Sequence, residues 1–198
     1  MTRDGVIKTV NNLEGESGHC KALQIYNSQK TLPRGYSVRL NDPWCATFVS
    51  AVLTMNGYDK INECSCSEMI KKAKSENIWV EDDNYNCRVG DVLMYDWNDN
   101  GVGDCTGEPD HVGIIISVTD KNIIVREGNK SSSIGNRTIE RNRTIERNGK
   151  FIRGFIVPPY DDEPDIETKK ARLIEFIDNM DFSKVTKEDI IKAIKEGI

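Results

Sequence analysis

One cysteine of this sequence stands where a helix is predicted to begin. The segment Asn-Asp-Pro-Trp-Cys-Ala-Thr-Phe-Val-Ser contains Asp42, which can cap a helix, and Pro43, which suits its first position. Cys45 would then be about the third helical residue, where unpaired amides and the helix dipole favour a thiolate. A buried structural cysteine is the alternative, because free cysteines are among the most buried side chains.

A cysteine nucleophile needs a base, and the chain has two histidines. His111 begins the apolar run His-Val-Gly-Ile-Ile-Ile-Ser-Val, which is typical of a strand. His19 lies in a polar stretch next to Cys20, where a solvated loop histidine is the usual case. We therefore predict that His111 is the base.

The strand after His111 carries groups that could orient an imidazole. Residues 111, 127 and 129 share parity, and a turn centred near Asp120 would put Asn129 opposite His111 and Glu127 opposite Gly113. Glu127 can then accept a hydrogen bond from one ring nitrogen, while Asn129 orients the ring or donates to a substrate carbonyl. The alternative is that both are merely polar residues at the end of a hairpin.

A loop before His111 has part of the spacing of a calcium-binding loop. Asp96, Asn98 and Asn100 occupy its first, third and fifth positions with glycine at the sixth, and Asp104 could add another oxygen. The terminal glutamate of such loops is missing, so an ordinary polar turn is the favoured interpretation. The predicted chemistry requires no cofactor, and calcium is an optional ligand.

These residues are predicted to lie on a helical half followed by an antiparallel sheet, an α+β fold. Helices are predicted at residues 2–14, from Pro43 onwards, and after Ser67. An apolar period of two then predicts strands at 78–81, 91–95, 111–118, 122–127 and 150–157. The hexapeptide Asn-Arg-Thr-Ile-Glu-Arg is repeated in tandem over 136–147 and is interpreted as a lengthened hairpin arm.

The last part of the chain is predicted to be an appendage, residues 161–198, to a main domain of residues 1–160. A proline-rich acidic stretch predicts a stiff linker, and two apolar stripes beyond it predict short amphipathic helices. Those stripes must be covered by the main domain or by another copy of the chain. A homo-oligomer through these helices is therefore one expectation.

Composition narrows the partners and the compartment. The net charge is -5 without a basic block, so nucleic acid is not an expected partner. No apolar run is long enough for a membrane span or an export signal, which predicts a soluble protein made in the cytoplasm. If Cys45 stays free, five of the six cysteines remain and cannot all pair, which favours reduced thiols.

Four other cysteines could suggest a zinc site. Cys64, Cys66, Cys87 and Cys105 lack the paired spacings of structural zinc ligands, so zinc is disfavoured.

Four short motifs follow one another along the chain. They are Pro-Trp-Cys-Ala-Thr-Phe-Val-Ser around Cys45, Val-Gly-Asp-Val at 89–92, Asp-His-Val-Gly-Ile around His111, and Glu-Gly-Asn at 127–129. In this order they resemble the CHAP family of cysteine, histidine-dependent amidohydrolases and peptidases. The similarity extends to about Tyr160 and is strongest with forms encoded by phages of clostridia-like bacteria. The duplicated hexapeptide and the tail depart from the family pattern.

The resemblance implies a papain-like fold with Cys45 as nucleophile, His111 as base, Glu127 as the orienting acid and Asn129 as an assisting amide. It implies a peptidoglycan hydrolase, either an N-acetylmuramoyl-L-alanine amidase or an endopeptidase of the stem peptide or cross-bridge. A phage or prophage lysin that reaches the cell wall after release fits this reading. Two alternatives stay open: a silent wall- or partner-binding module, and a papain-like protease or acyltransferase on another substrate.

Overall fold

The computed structural model describes residues 1–82, 85–99, 107–119, 122–131, 133–140 and 151–161. The chain divides after Tyr160 into two units, and the first, Met1–Tyr160, has its own hydrophobic core. The predicted acidic linker and tail helices lie, beyond Asp161, outside the described residues. Their structure and their role in oligomer formation stay predictions.

Helices occupy the first half of the described chain. They are α1 (Arg3–Asn12), α2 (Gly15–Asn27), α3 (Cys45–Met55) and α4 (Cys66–Ser75), with a 3-10 turn at Pro33–Gly35. α1 begins after Thr2, whose hydroxyl accepts a hydrogen bond from the backbone amide of Gly5. α4 is capped in the same way by Ser65, and it buries Met69, Ile70 and Ala73. In the described part of the chain, every helix is too short or too polar to cross a bilayer.

α2 was not predicted, because the sequence of its first turn is typical of a polar loop. Gly15, Glu16, Ser17 and Gly18 include weak helix formers, but the following residues bury one face at helical spacing. The prediction that His19 is a solvated loop residue is wrong. His19 lies within α2 with 8% of its surface exposed, because tertiary packing overrides the weak local propensity of this segment.

The second half is a six-stranded sheet in which all described strand pairs are antiparallel. The strands are β1 (Trp79–Val80), β2 (Val92–Tyr95), β3 (His111–Val118), β4 (Asn122–Lys130), β5 (Ser133–Glu140) and β6 (Ile152–Ile156). Their spatial order is β1-β6-β2-β3-β4-β5. The predicted α+β class is confirmed. Five residues of the first hexapeptide copy lie in β5, which pairs with β4, and the second copy lies outside the described residues.

The helices pack on one face of this sheet. Phe48, Val49 and Val52 of α3 share a core with Val112 and Ile114 of β3, while alternate strand residues form a second, smaller core on the other face. The period of two in the strands therefore corresponds to two buried faces. α3 contacts both β3 and β4, which brings its first turn to the sheet.

A close approach of α3 to β4 explains one glycine. A Cβ atom at Gly128 would lie 2.5 Å from Phe48 Cβ and 2.7 Å from a ring carbon of Trp44. Because these neighbours belong to packed aromatic side chains, the position has no room for a larger residue. The glycine between Glu127 and Asn129 thus sets the distance between helix and sheet.

The Val-Gly-Asp-Val motif ties the first helix to the sheet. Asp91 is fully buried and accepts hydrogen bonds from Arg3 (2.8 Å), Tyr85 (2.9 Å) and the backbone amide of Arg88 (2.8 Å). Burial raises the pKa of this carboxyl, against the opposing effect of the Arg3 guanidinium. The motif is therefore a structural anchor at the start of β2.

Candidate active site

Cys45 is the first residue of α3, and 8% of its surface is exposed. The helix begins later than predicted, since its cap is Trp44, which forms no side-chain cap hydrogen bond. The prediction that Asp42 caps the helix is wrong. Its carboxylate instead accepts hydrogen bonds of 2.7 Å from the backbone amide of Arg39 and from the Tyr36 hydroxyl. The amides of the first helical turn are thus left without a side-chain acceptor at the cap.

A second cysteine lies against the first. The Sγ atoms of Cys45 and Cys66 are 3.9 Å apart, and Cys66 is the first residue of α4. Two helix N-termini, each the positive end of a helix dipole, therefore meet at one pair of sulfur atoms. This contact could not be predicted from the sequence, because Cys66 stands 21 residues from Cys45 in another helix.

His111 lies at the start of β3 and is also 8% exposed. Its Nε2 atom is 3.1 Å from Oε2 of the fully buried Glu127. The thiol of Cys45 also acts on this ring, because its interaction with the imidazole helps to raise the pKa of His111. Cys45, His111 and Glu127 are thus connected in series.

The predicted register of β3 and β4 is confirmed at the position that matters for this contact. Gly113 pairs with Glu127, as the parity argument required. A Cβ atom at Gly113 would lie 2.9 Å from Glu127 Cγ, so the glycine leaves the space that the glutamate side chain fills. Glu127 reaches His111 diagonally across the strand pair.

Arg137 completes the surroundings of the glutamate. Its Nε donates to Glu127 Oε1 over 2.8 Å, and its guanidinium lies 4.7 Å from the centre of the Trp97 ring. Tyr95 lies on the same side, and its pKa is raised by burial and by the charge of Glu127. Arg137 was not predicted to belong to the site, although it is the arginine of the first hexapeptide copy, because its contact depends on the pairing of β5 with β4.

These contacts separate the acidities of the two central groups. The hydrogen bond from Cys66 lowers the pKa of Cys45 to about 5, aided by His111 and the backbone amide of Ala46 and opposed by burial. Burial alone would lower the pKa of His111, but hydrogen bonds with Cys45 and Glu127 raise it to about 9. A thiolate beside an imidazolium is the stable state between these two values.

Asn129 is placed differently from the prediction. The ladder between β3 and β4 ends at the Gly113–Glu127 pair, so Asn129 does not pair opposite His111 in the described strands. Its backbone has φ 58°, a left-handed conformation that asparagine tolerates better than most residues, and the β4–β5 register shifts here. Asn129 nevertheless lines a cavity of about 360 Å³ together with His111, Trp97 and Arg137.

A second cavity of about 450 Å³ is also bordered by Asn129. Its lining includes Asp42, Trp44 and His19, and the last two rings stack with centroids 3.8 Å apart. Burial lowers the pKa of His19, against the charge of Glu16. His19 therefore packs against Trp44, the residue before Cys45. It is separate from the group formed by Cys45, His111 and Glu127.

The predicted metal ligands are only partly within the described residues. Asp96 Oδ1 accepts a hydrogen bond of 2.8 Å from the backbone amide of Asn98, as in an ordinary Asx turn. Asn100 and Asp104 lie outside the described residues, as does Cys105. Within the described ranges, no cluster of three or more histidine, cysteine or acidic residues could hold a metal ion. The calcium loop stays a prediction.

Comparison with known proteins gives one family. Residues 36–129 match the family described as the CHAP domain, a range that contains Cys45, His111, Glu127 and Asn129. No curated protein and no solved structure matches the chain.

Proposed function

We propose, from the premise that residues 36–129 of this chain are a CHAP domain, that the protein hydrolyses an amide bond in bacterial cell-wall peptides. CHAP domains are generally cysteine- and histidine-dependent amidohydrolases, and their substrate is peptidoglycan. The proposed nucleophile is Cys45, the proposed general base and acid is His111, and Glu127 is proposed to hold the imidazole. The fold around them is proposed to be of the papain type.

The arrangement of Cys45, His111 and Glu127, in which the thiol and the imidazole shift each other's pKa and the imidazole bonds to the carboxylate, supports this proposal. A cysteine needs to be a thiolate to attack a carbonyl, and the pKa of about 5 favours that form at neutral pH. His111, with a pKa of about 9, carries the proton that a leaving amine requires. The buried Glu127 stabilises the imidazolium over a distance of 3.1 Å.

The proposed reaction has two halves. The Cys45 thiolate attacks the amide carbonyl, and His111 gives its proton to the nitrogen as the carbon–nitrogen bond breaks. A thioester remains on Cys45. Water then attacks this thioester with His111 as the base, which releases the acid product and restores the thiolate–imidazolium pair.

The charge that develops on the carbonyl oxygen needs hydrogen-bond donors. The first amides of α3 have no side-chain cap, and the amide of Asn129 borders both cavities next to the site. We propose that these groups donate to the oxyanion. The two cavities would hold the peptide on either side of the scissile bond, with the exposed ring of Trp97 at one border.

Wall digestion followed by mass analysis tests the function. The full chain, incubated with purified cell walls, is expected to release fragments with new amino termini. An amino-terminal alanine on every released peptide indicates cleavage between the sugar and the stem peptide, whereas other termini indicate endopeptidase activity. Cys45→Ala is expected to abolish release, with a rate lower by about 10⁴ or more.

Cys20→Ser is the matched control, because Cys20 is an exposed cysteine on α2. Release of the same fragments by Cys45→Ala, or no release by a folded wild-type protein from walls of several chemotypes, would contradict the proposal. A folded, inactive wild type that still binds walls would instead favour the binding module.

A phage or prophage origin, with the protein made in the cytoplasm and acting after release, is part of the same proposal. An optional calcium ion at the loop that begins at Asp96 is also part of this proposal.

A further inference from the structure

We propose that Cys66 is a redox modification site coupled to the nucleophile: an oxidant joins Cys66 to Cys45 in a reversible disulfide that stops hydrolysis. The effect on hydrolysis rests on the function proposed above, whereas the disulfide itself does not.

The geometry of the two sulfur atoms carries this proposal. They are 3.9 Å apart, and each belongs to the first residue of a helix, α3 or α4. A disulfide requires a separation of about 2.05 Å, so the sulfur atoms must approach by about 2 Å. Because both helices begin at these residues, we expect a side-chain rotation or a small shift of the helix ends to supply this approach.

The protonation of the pair provides one nucleophile and one resolving group. The hydrogen bond between the sulfur atoms lowers the pKa of Cys45 and raises that of Cys66 well above its ordinary value, as does the burial of Cys66. Cys66 is thus the protonated thiol, and it donates a hydrogen bond to the Cys45 thiolate. A low-pKa thiolate next to a second thiol is the arrangement found in redox-sensitive cysteines.

The proposed step uses a peroxide as the oxidant. The Cys45 thiolate attacks one peroxide oxygen, the oxygen–oxygen bond breaks, and Cys45 becomes a sulfenic acid as hydroxide leaves and is protonated to water. The sulfur of Cys66 then attacks the Cys45 sulfur, and the sulfenic hydroxyl leaves with the Cys66 proton as a second water. In total two thiols are oxidised, and one hydrogen peroxide is reduced to two water molecules.

The other described cysteines are poorer partners for Cys45. The sulfur of Cys64 accepts a hydrogen bond of 3.1 Å from Arg34. Cys20 is exposed on α2, and Cys87 is buried in the smaller core on the other face of the sheet. The proposal therefore commits to the Cys45–Cys66 link.

Peptide mapping of the full chain decides whether the disulfide forms. The reduced protein is treated with hydrogen peroxide, free thiols are blocked, and the digest is analysed by mass spectrometry without reduction. We expect a peptide pair joined through Cys45 and Cys66 that disappears on reduction. Oxidation of Cys45 to a sulfinic acid without this pair, or a link from Cys45 to another cysteine, would overturn the proposal.

Recovery of activity tests the consequence. Wild-type protein inactivated by peroxide is expected to regain most of its wall hydrolysis on reduction. Cys66→Ser keeps a hydroxyl donor to the thiolate but cannot form the disulfide, so it is expected to recover several-fold less of its own initial activity. Cys20→Ser should recover as the wild type does.

Equal recovery by Cys66→Ser and wild type would overturn the protective role of the disulfide. A wild type that forms the mapped link but never digests walls would contradict the proposed function and leave the disulfide intact, so the two failures are distinguishable.

Discussion

His111 lies between two groups of neighbours that differ in their chemistry. The helix side, defined by Cys45 and Cys66, consists of two sulfur atoms 3.9 Å apart at the N-termini of two helices. The sheet side, defined by Glu127 and Arg137, consists of a buried carboxylate held by a guanidinium at 2.8 Å. One side uses a neutral thiol and backbone dipoles, and the other uses full charges.

Because of this difference, each side controls the protonation of a different group. The helix side lowers the pKa of Cys45, chiefly through the Cys66 hydrogen bond, and the sheet side helps to raise the pKa of His111. A neutral donor can be changed by oxidation, whereas an ion pair of a carboxylate and an arginine has no redox chemistry. The helix side is therefore the one where an oxidant can act, and the sheet side is the one that keeps the imidazole charged.

The largest effect is expected on the sheet side. Glu127→Gln keeps the shape of the side chain but removes the charge that stabilises the imidazolium, so kcat for wall hydrolysis should fall by about 10² to 10⁴. A spectroscopic titration of His111 should show its pKa lowered in the variant. Glu68→Gln is the control, because Glu68 forms an ion pair with the exposed Lys71 on α4, away from Glu127. A variant with unchanged kcat would show that the sheet side does not act on the reaction.

The pH profile of wall hydrolysis is expected to show the protonation of both Cys45 and His111. Below about 5 the Cys45 thiolate is protonated, and above about 9 His111 loses the proton that the leaving amine needs. kcat/KM should therefore fall about tenfold per pH unit beyond each limit. Initial rates from pH 4 to pH 10, corrected for unfolding by a melting curve at each pH, measure this. A plateau that continues through pH 10 would contradict the assignment of the basic limb.

Arg137→Gln should have a smaller effect than the change at Glu127. It removes one charge-assisted hydrogen bond but leaves the carboxylate in place, so about a tenfold loss in kcat is expected. Arg126→Gln is the matched control, because this arginine also reaches β5, through Asn136, but lies outside the Glu127 contacts. Equal losses in the two variants would mean that Arg137 only stabilises the β4–β5 pair.

Cys66→Ala is expected to have the smallest effect on rate at neutral pH. It is also the sharpest test of the difference between the helix side and the sheet side. Loss of the thiol donor should raise the pKa of Cys45 above about 5, while His111 and the backbone amide of Ala46 still hold it below neutral pH. The rate of alkylation of Cys45 by iodoacetamide as a function of pH reports this directly. The acid limb of the profile should move up in Cys66→Ala, while the basic limb should move down in Glu127→Gln. If both variants move the same limb, the division into two sides fails.

The sequence by itself determined most of the elements and one decisive strand pair. The change of apolar period from helical spacing to two is local information, and it predicted the α+β order and β3 with its observed bounds. Parity is equally local, since neighbouring strands joined by a short turn can only pair in a few ways. It predicted Glu127 opposite Gly113, and the structure has this pair after a register shift between Ile115 and Ser117.

Only the tertiary structure decided which residues surround this series. Cys66 meets Cys45 because α3 and α4 begin at one place, and Arg137 meets Glu127 because β5 lies beside β4 at the sheet edge. His19 is buried against Trp44 although its own segment is a weak helix former. Such contacts depend on the relative position of elements that are distant in sequence, and no spacing pattern within the chain encodes that position.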